Sequence, residues 1–278
     1  MSSAASTETL ASTFAADWQH WHANHEKLRS DPHGFLAVTA LHWLTNQPAA
    51  VDGAPGTWRV EDDVVRVALG AGDSLRRDGV ELNTGVELAF GPIAERDGIN
   101  LGFGDTVLEL AKRGGEYILR PRNPRNELLR DYQGTPAYDP DESFAVNANY
   151  EPFKKPRQTT VGAAVEGIQH VYQAPGVVRF RLGGQEQELT VFNGHATGTF
   201  TVLFTDATSG VTTYSANRSL TFSAPDTGGP VVLDFNRAVN LPCAYTDLAT
   251  CPLPPAENRL AVAVEAGEKA PLKREVSL

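Results

Sequence analysis

The chain has 278 residues, of which 41% are hydrophobic and 21% are charged, a composition typical of a globular protein with a substantial core. Acidic residues outnumber basic ones by 34 to 24, so the formal net charge is −10 and the protein lacks the basic face that a nucleic-acid partner needs. No apolar stretch is long enough to cross a bilayer, and residues 1–10 carry no basic segment followed by an apolar core. We therefore expect a soluble, cytoplasmic protein that has neither nucleic acid nor a membrane as its partner.

Residues 1–30 carry an amphipathic pattern that predicts an N-terminal helical arm. From Ser12 onward, large apolar residues and one histidine recur at helical spacing: Phe14, Trp18, Trp21, His25 and Leu28. Asp31, Pro32 and Gly34 then end the helix. The apolar run 35–44 that follows is too short for its period to decide between helix and strand, and we favour a strand.

Residues 31–278 show the turn signals of a β protein. Pairs of turn-forming residues recur along them: Asp52-Gly53, Asp78-Gly79, Asp97-Gly98, Gly114-Gly115, Gly183-Gly184 and Gly228-Gly229. Alternating apolar residues between these pairs predict hairpins at 58–69 and 100–121. Together with 25 glycines and 18 prolines, the pattern predicts a mainly β fold, a sandwich or barrel of many short antiparallel strands. This β-rich body forms either one core or two interlocked halves that meet near the proline-rich segment 151–160.

The segment 199–222 predicts a hairpin with an arginine on its apolar face. Alternate positions of its two strands place these side chains on one side: Phe200, Val202, Phe204, Asp206, Arg218, Leu220 and Phe222. The Arg218 guanidinium cannot lose its charge, so within an apolar core it must meet a carboxylate. The candidate partners are Asp206, Asp234 and Glu257. One interpretation is a structural ion pair; the other is a polar pocket in which Arg218 binds an anionic or carbonyl group and Tyr214 donates a hydrogen bond.

Three further residues are candidates for acid–base chemistry near this hairpin. Asp234 comes at the end of an apolar run, and strand ends are where β proteins usually place reactive groups. Asp234 or Glu257 would serve as a base, which makes hydrolysis the expected reaction if the site is catalytic. His195 precedes the hairpin and is a candidate general base as well, with an ordinary loop histidine as the alternative.

Two segments carry a family resemblance. The first is Asp206–Arg218, and the second is Asp234–Leu260, which contains the dipeptides Pro-Cys and Cys-Pro. They resemble a bacterial and archaeal family of unknown function, domain-of-unknown-function family sixteen-eighty-four (DUF1684), and the similarity extends over most of the chain. Members of that family carry glycine around residues 215–217, where this chain has serine, alanine and asparagine. The resemblance implies no particular reaction or substrate, but it marks these two segments as the ones to examine.

The chain contains two cysteines, Cys243 and Cys251, in a proline-rich segment. Three interpretations stay open: two buried thiols in a reducing cytoplasm, a local disulfide, or a metal site with further ligands from elsewhere. The short cysteine spacing of most metal sites is absent, so we predict neither a metal nor another cofactor. The arginine-rich stretch 119–131 predicts salt bridges, with the rim of an anion site as the alternative.

These patterns together predict one polar site on a β-rich body. The predicted catalytic residues are Asp234, Glu257 and His195. The predicted ligand-binding residues are Asp206, Tyr214, Arg218, Asn236 and Asn258. The favoured function is binding of a small molecule that carries an anionic or carbonyl group, with hydrolysis as the reaction if the site is catalytic; the sequence leaves open whether it is. The alternatives are a non-catalytic binding or scaffold module whose polar cluster is structural, and a metal-supported site that uses the two cysteines. The sequence leaves the oligomeric state open.

Overall fold

The computed structural model describes residues 2–82, 85 and 87–275, with side chains from Thr13 onward. The chain divides into two compact units. The described residues of the larger unit are 2–27, 133–245 and 251–274, and those of the smaller unit are 28–82, 85, 87–132, 246–250 and 275. The predicted mainly β fold is confirmed, since the described residues form three antiparallel sheets and a long helix only at the start of the chain.

The strands follow one another through both units. In the smaller unit they are β1 (His42–Trp43), β2 (Ala49–Ala50), β3 (Thr57–Glu61), β4 (Val64–Ala68), β5 (Leu75–Arg77), β6 (Val80–Leu82), β7 (Glu87–Phe90), β8 (Gly98–Phe103), β9 (Thr106–Arg113) and β10 (Glu116–Arg122). In the larger unit they are β11 (Ala145–Gly162), β12 (Gln169–Leu182), β13 (Gln185–Asn193), β14 (Thr199–Phe204), β15 (Arg218–Ser223), β16 (Gly229–Asp234) and β17 (Val239–Asn240). The helices are α1 (Ser2–Arg29), α2 (Glu127–Arg130) and short 3-10 helices at Phe35–Ala37, Glu142–Phe144, Phe235–Arg237 and Pro242–Ala244.

The N-terminal helix α1 confirms the helical pattern of the sequence and packs through its aromatic residues. Trp18 is buried, and its indole Nε1 donates a hydrogen bond of 2.7 Å to the carbonyl of Asn236. Trp21 stacks on the His25 ring with centroids 5.3 Å apart. Leu28 departs from the prediction, because its side chain is 75% exposed and does not share the packed face. Among the described helices, none combines the length and the apolar composition that crossing a bilayer requires.

The strand that we favoured for residues 35–44 is wrong. Phe35–Ala37 forms a 3-10 helix, and only the two residues of β1 pair, with β10. Three consecutive residues, Leu36, Ala37 and Val38, are buried. A strand with one solvent-facing side would expose every second residue. Three consecutive buried residues therefore fit a tight helical turn better than such a strand.

The smaller unit consists of two antiparallel sheets. One has the strand order β2-β3-β4-β7 and the other has the order β1-β10-β9-β8-β5-β6. Both predicted hairpins are present, at β3–β4 and within β8–β9–β10. The β3–β4 turn consists of Asp62 and Asp63, whose φ angles of 50° and 60° match the two-residue turn that suits twisted strands. The core of this unit is formed mainly by Trp58, Val65, Val67, Leu75, Leu101, Leu108 and Leu110.

The larger unit is built on a sheet with the strand order β16-β11-β12-β13-β14-β15-β17. The segment 151–160, which we proposed as a meeting point of two halves, lies inside the 18-residue strand β11. A register shift between Pro152 and Arg157 bends this strand where it pairs with β12. The core of this unit includes Val178, Phe180, Leu189, Val202, Phe204, Leu220, Leu233 and Phe235.

Gly267 occupies a position that no other residue fits. Its φ angle is +73°, and a Cβ atom there would lie 2.5 Å from the Ala238 carbonyl oxygen and 2.7 Å from that of Phe235. We expect Gly267→Ala to lower the free energy of unfolding by about 2–4 kcal/mol, because backbone strain and overlap add. Urea denaturation measures this loss. Gly184→Ala is the matched control, since Gly184 has a φ of +76° and open space around it; equal losses in the two variants would contradict the overlap.

Candidate functional site

Arg218 lies on the apolar face of the β14–β15 hairpin, as the alternation predicted, and is 1% exposed. Its Nη2 donates a hydrogen bond of 2.9 Å to Asp206 Oδ2, so Asp206 is the carboxylate that meets the buried charge. Burial lowers the pKa of Arg218, and the Asp206 carboxylate opposes this effect. The guanidinium stays charged, because its pKa starts far above neutral pH.

Three backbone carbonyls complete the surroundings of Arg218. Nη1 donates to the carbonyl oxygens of Ala266 and Glu268, and Nη2 donates to that of Val264 at 3.0 Å. All four Nη hydrogens therefore have protein acceptors. The guanidinium joins the segment 264–268 to the hairpin and leaves no Nη hydrogen for an anionic ligand.

The Asp206 carboxylate is equally occupied. Its Oδ1 accepts hydrogen bonds from the amide and hydroxyl of Thr208, at 2.8 and 2.6 Å, and from the amide of Val264 at 3.1 Å. The Asp206 side chain is fully buried. Hydrogen-bonded buried charges fix the arrangement of their segments, and this is what Asp206 and the two Nη groups of Arg218 do here, while Arg218 Nε is buried without a hydrogen-bond partner among the described residues.

Asp234 and Asn236 form a second group at the start of the 3-10 helix Phe235–Arg237. Asp234 Oδ1 accepts from the Asn236 amide and side chain, and its Oδ2 accepts from Arg237 Nε at 3.1 Å. Asn236, which is 1% exposed, exchanges two hydrogen bonds with the backbone of Asp141. Arg237 also pairs with Asp17 of α1. This group joins α1, the segment before β11 and the end of β16.

Asn258 and Glu257 form a third group, beside β13 and β14. Asn258 is completely buried and exchanges hydrogen bonds with the Thr190 backbone, and it also donates to the Leu203 carbonyl at 2.8 Å. Glu257 is exposed and accepts a hydrogen bond of 3.2 Å from the Thr190 hydroxyl. Asn258 therefore bridges two strands, while the Glu257 carboxylate faces solvent.

His195 lies at the far end of the hairpin from Arg218. It is exposed in the turn before β14, where Thr199 pairs with Ser223, whereas Arg218 pairs with Phe204 at the other end. Five strand residues at about 3.3 Å each separate the two ends by roughly 17 Å. The eight predicted site residues are thus distributed over separate groups rather than gathered in one pocket.

Tyr214 joins a fourth group that contains both cysteines. Cys243 and Cys251 are buried thiols without a disulfide, and the Cys243 amide donates to Cys251 Sγ at 3.3 Å. Arg274 Nε donates to the Cys243 carbonyl at 3.4 Å. Among the described residues, no three His, Cys, Asp or Glu side chains form a group that could hold a metal ion.

The pKa of the Cys243 thiol lies below its usual value. A hydrogen bond with Cys251 is the largest cause, and a hydrogen bond with Tyr214 and the positive charge of Arg274 act in the same direction. Burial opposes them. The pKa of Tyr214 is raised, first by burial and then by Cys243. This group holds a thiol whose ionised form is stabilised by its neighbours.

The smaller unit contains a cleft of about 570 Å³ that the sequence did not predict. Side chains that line it include His33, Arg76, Asp78, Asn100, Asp105 and Thr106. His33 Nε2 donates to the Asp105 carbonyl at 2.8 Å, and Arg76 Nη2 donates to the Gly104 carbonyl at 3.0 Å. Residues from four chain segments meet here, so no local sequence motif predicts the cleft. The recurrent Asp-Gly and Gly-x-Gly turns at 78–79 and 102–104 were its only visible signal.

The arginine-rich stretch 119–131 forms salt bridges, as predicted. Glu109, on the neighbouring strand, accepts from Arg120 Nε and Nη2 at 2.9 and 2.7 Å and also pairs with Arg122. Arg125 pairs with Asp105 at 3.4 Å. Burial alone would raise the pKa of Glu109, but the charges and hydrogen bonds of Arg120 and Arg122 outweigh it and lower the pKa to about 2.

Comparison with protein families tests the family resemblance of the segments Asp206–Arg218 and Asp234–Leu260. A family model described as a protein of unknown function (DUF1684) matches residues 130–269, which is half of the chain. The chain belongs to the DUF1684 family. The match covers the Asp206–Arg218, Asn258 and cysteine groups and does not include the cleft of the smaller unit.

A solved structure is also similar to part of the chain. The solution NMR structure of an uncharacterised protein from Haloarcula marismortui is 32% identical, covers 51% of this chain and 80% of its own, and has a TM-score of 0.44. No curated protein matches the chain.

Proposed function

We propose that this DUF1684 protein binds a small polar molecule, which carries an anionic or carbonyl group, in the cleft of the smaller unit. The observation that carries the proposal is the cleft itself. Its volume of about 570 Å³ lies in the range of small-molecule sites, and charged and amide side chains line it. Arg218, by contrast, is 1% exposed, and its Nη groups are bound by protein acceptors.

Arg76 is the residue that would hold the anionic or carbonyl group. Its side chain is exposed, and its one side-chain hydrogen bond within the described residues is that from Nη2 to the Gly104 carbonyl. The remaining donors of the guanidinium fork suit two oxygen atoms of a carboxylate or phosphate. Asp78, Asp105 and Asn100 supply acceptors for hydroxyl or amino groups of the same molecule.

The proposal is binding rather than hydrolysis. His33 is the histidine among the residues that line the cleft. Its Nε2 donates to the Asp105 carbonyl at 2.8 Å, which fixes the imidazole ring at the cleft. We assign His33 to orienting the ligand. The proposal keeps the cytoplasmic location expected from the sequence, which is consistent with two cysteines that are not joined.

A thermal-shift screen tests the cleft. Succinate, glutamate, glucose 6-phosphate and AMP serve as probes of carboxylate and phosphate recognition. We expect at least one probe to raise the Tm of the full chain by about 5–10 °C at a hundredfold excess over its Kd, since that excess stabilises by about 2.7 kcal/mol. Arg76→Met should raise the Kd of that probe at least tenfold.

Arg77→Met is the matched control for Arg76→Met. Arg77 is the next residue of β5, is also exposed and is not among the cleft residues, because successive strand side chains point to opposite faces. Gly102→Val is a second test, since a Cβ at Gly102 meets only Arg76 atoms at 3.5 Å or more and would narrow the cleft without a backbone clash. Stabilisation that survives both Arg76→Met and Gly102→Val, or no stabilisation by any probe, would overturn the proposal.

For the Asp206–Arg218 group we propose the second of our sequence-based alternatives, a structural role. The supporting observation is that every Nη hydrogen of Arg218 is used by the protein. This assignment is tested independently of the cleft, through the stability of Arg218→Met.

A further inference from the structure

Cys243 and Cys251 form a close thiol pair inside the larger unit. Cys243 lies in the 3-10 helix Pro242–Ala244, whose proline-led turn points its amide at Cys251 Sγ, 3.3 Å away. The side chains are also hydrogen-bonded to each other. Cys243 is 1% exposed and Cys251 is 8% exposed. Both sulfur atoms are thus held together, apart from bulk solvent, with Cys251 on the more accessible side.

Two polar side chains adjoin this pair and favour a reactive thiolate. Tyr214 and the positive charge of Arg274 both favour the ionised form of Cys243, and Arg274 Nε lies 3.4 Å from the Cys243 carbonyl oxygen. Structural cysteines usually pack among apolar groups and stay inert, whereas reactive ones have cationic and hydrogen-bonding neighbours. A partner thiol, a phenol and a guanidinium together go beyond what packing requires.

We propose that Cys243 and Cys251 are a peroxide-reactive dithiol, in which Cys243 is the attacking sulfur and Cys251 the resolving one. The oxidant is hydrogen peroxide. It is small enough to enter a site that is almost closed, whereas a peptide-sized disulfide is not. This proposal concerns the larger unit and does not rest on ligand binding in the cleft.

The chemistry takes two steps and balances without a cofactor. The Cys243 thiolate attacks one peroxide oxygen, an S–O bond forms, the O–O bond breaks, and the hydroxide that leaves takes a proton to become water. The Cys251 sulfur then attacks the Cys243 sulfenic acid, forming the S–S bond as the S–O bond breaks. The second hydroxide takes the Cys251 proton. Two thiols lose two electrons in total, and one peroxide becomes two waters.

Peroxide treatment of the full chain, followed by thiol alkylation and intact-mass measurement, tests the proposal. The wild type should lose two hydrogen masses and both alkylation sites, and dithiothreitol should restore them. Cys251→Ser should accumulate a sulfenic acid on Cys243 that dimedone traps. Cys243→Ser should form no such adduct on Cys251 at comparable peroxide concentration.

Tyr214→Phe tests whether the phenol assists the attacking thiol. Oxidation near pH 7 should slow at least threefold, and raising the pH to about 9 should restore the rate by ionising Cys243 directly. Tyr150→Phe is the control, because Tyr150 is a buried tyrosine that packs against Phe200. A wild type that keeps two alkylatable thiols, or one that reacts only when unfolded in urea, would overturn the proposal. So would a sulfenic acid that forms equally on either cysteine.

Discussion

Replacement of Arg218 by methionine is expected to lower the free energy of unfolding by about 3–5 kcal/mol. Methionine keeps the apolar stem but removes the charge, so Asp206, fully buried, loses its cationic partner. The carbonyls of Val264, Ala266 and Glu268 lose their donor at the same time. The Tm should fall by roughly 10 °C, which differential scanning calorimetry measures.

Arg179→Met is the control for this loss. Arg179 is 55% exposed and pairs with Glu151 and Glu188 on the surface, where ion pairs contribute little. The double variant Asp206→Asn/Arg218→Met should recover part of the stability, since it no longer leaves a buried carboxylate without a cation. If Arg218→Met were as stable as wild type, the guanidinium would be held there at a cost in stability, and the structural assignment would be wrong.

Replacement of Glu109 by glutamine is the second change with a large expected effect, about 3–5 kcal/mol at pH 7. Glu109 is 7% exposed between Arg120 and Arg122, and Arg113 lies 3.4 Å from it. Glutamine is nearly isosteric but cannot neutralise these arginines. Urea denaturation at pH 7 measures this loss in the free energy of unfolding.

The pH dependence of stability isolates the same carboxylate. The pKa of Glu109 is about 2 in the folded protein against an ordinary value of 4.5, so the folded state favours the ionised form. Its contribution, about 3 kcal/mol, is present above pH 4.5 and is lost as the pH falls from 4.5 towards 2. The difference in stability between wild type and Glu109→Gln should shrink over that range.

Glu87→Gln is the matched control for the acid range. Glu87 pairs with Arg59 and Arg66 on an exposed surface of the smaller unit. Its substitution should change stability little at any pH, since solvent screens such pairs. A difference between wild type and Glu109→Gln that stayed constant from pH 7 to pH 3 would contradict the account of the Glu109 pair.

The alternation of apolar residues was enough to predict the hairpins and the position of Arg218. Period-two patterns follow directly from strand geometry, so β3–β4 and β14–β15 were accessible from the sequence. The sequence did not show that Asp206, rather than Asp234 or Glu257, is the partner of Arg218. That choice depends on how the segment 264–268 packs over the hairpin. The predicted strand at residues 35–44 was wrong for a similar reason, because the burial of these residues is set by packing from several directions rather than by a local period.

The cleft and the thiol pair show the limit of sequence patterns for sites. His33, Arg76 and Asp105 are far apart in the chain and meet because strands β5 and β8 are neighbours. Cys243 and Cys251 were identified, but Arg274 as their neighbour was not, since it follows them by more than twenty residues. Tertiary contacts of this kind carry no periodic signal.

Amide chemical-shift mapping tests the central claim most directly, namely that the ligand site is the cleft and that Asp206–Arg218 is structural. The isotopically labelled full chain is titrated with succinate, glutamate, glucose 6-phosphate and AMP in turn. We predict saturable shifts concentrated at residues 76–79 and 100–106 that Arg76→Met abolishes and Arg77→Met retains. Shifts concentrated at residues 206–218 would contradict the account, and so would the absence of saturable shifts with every probe.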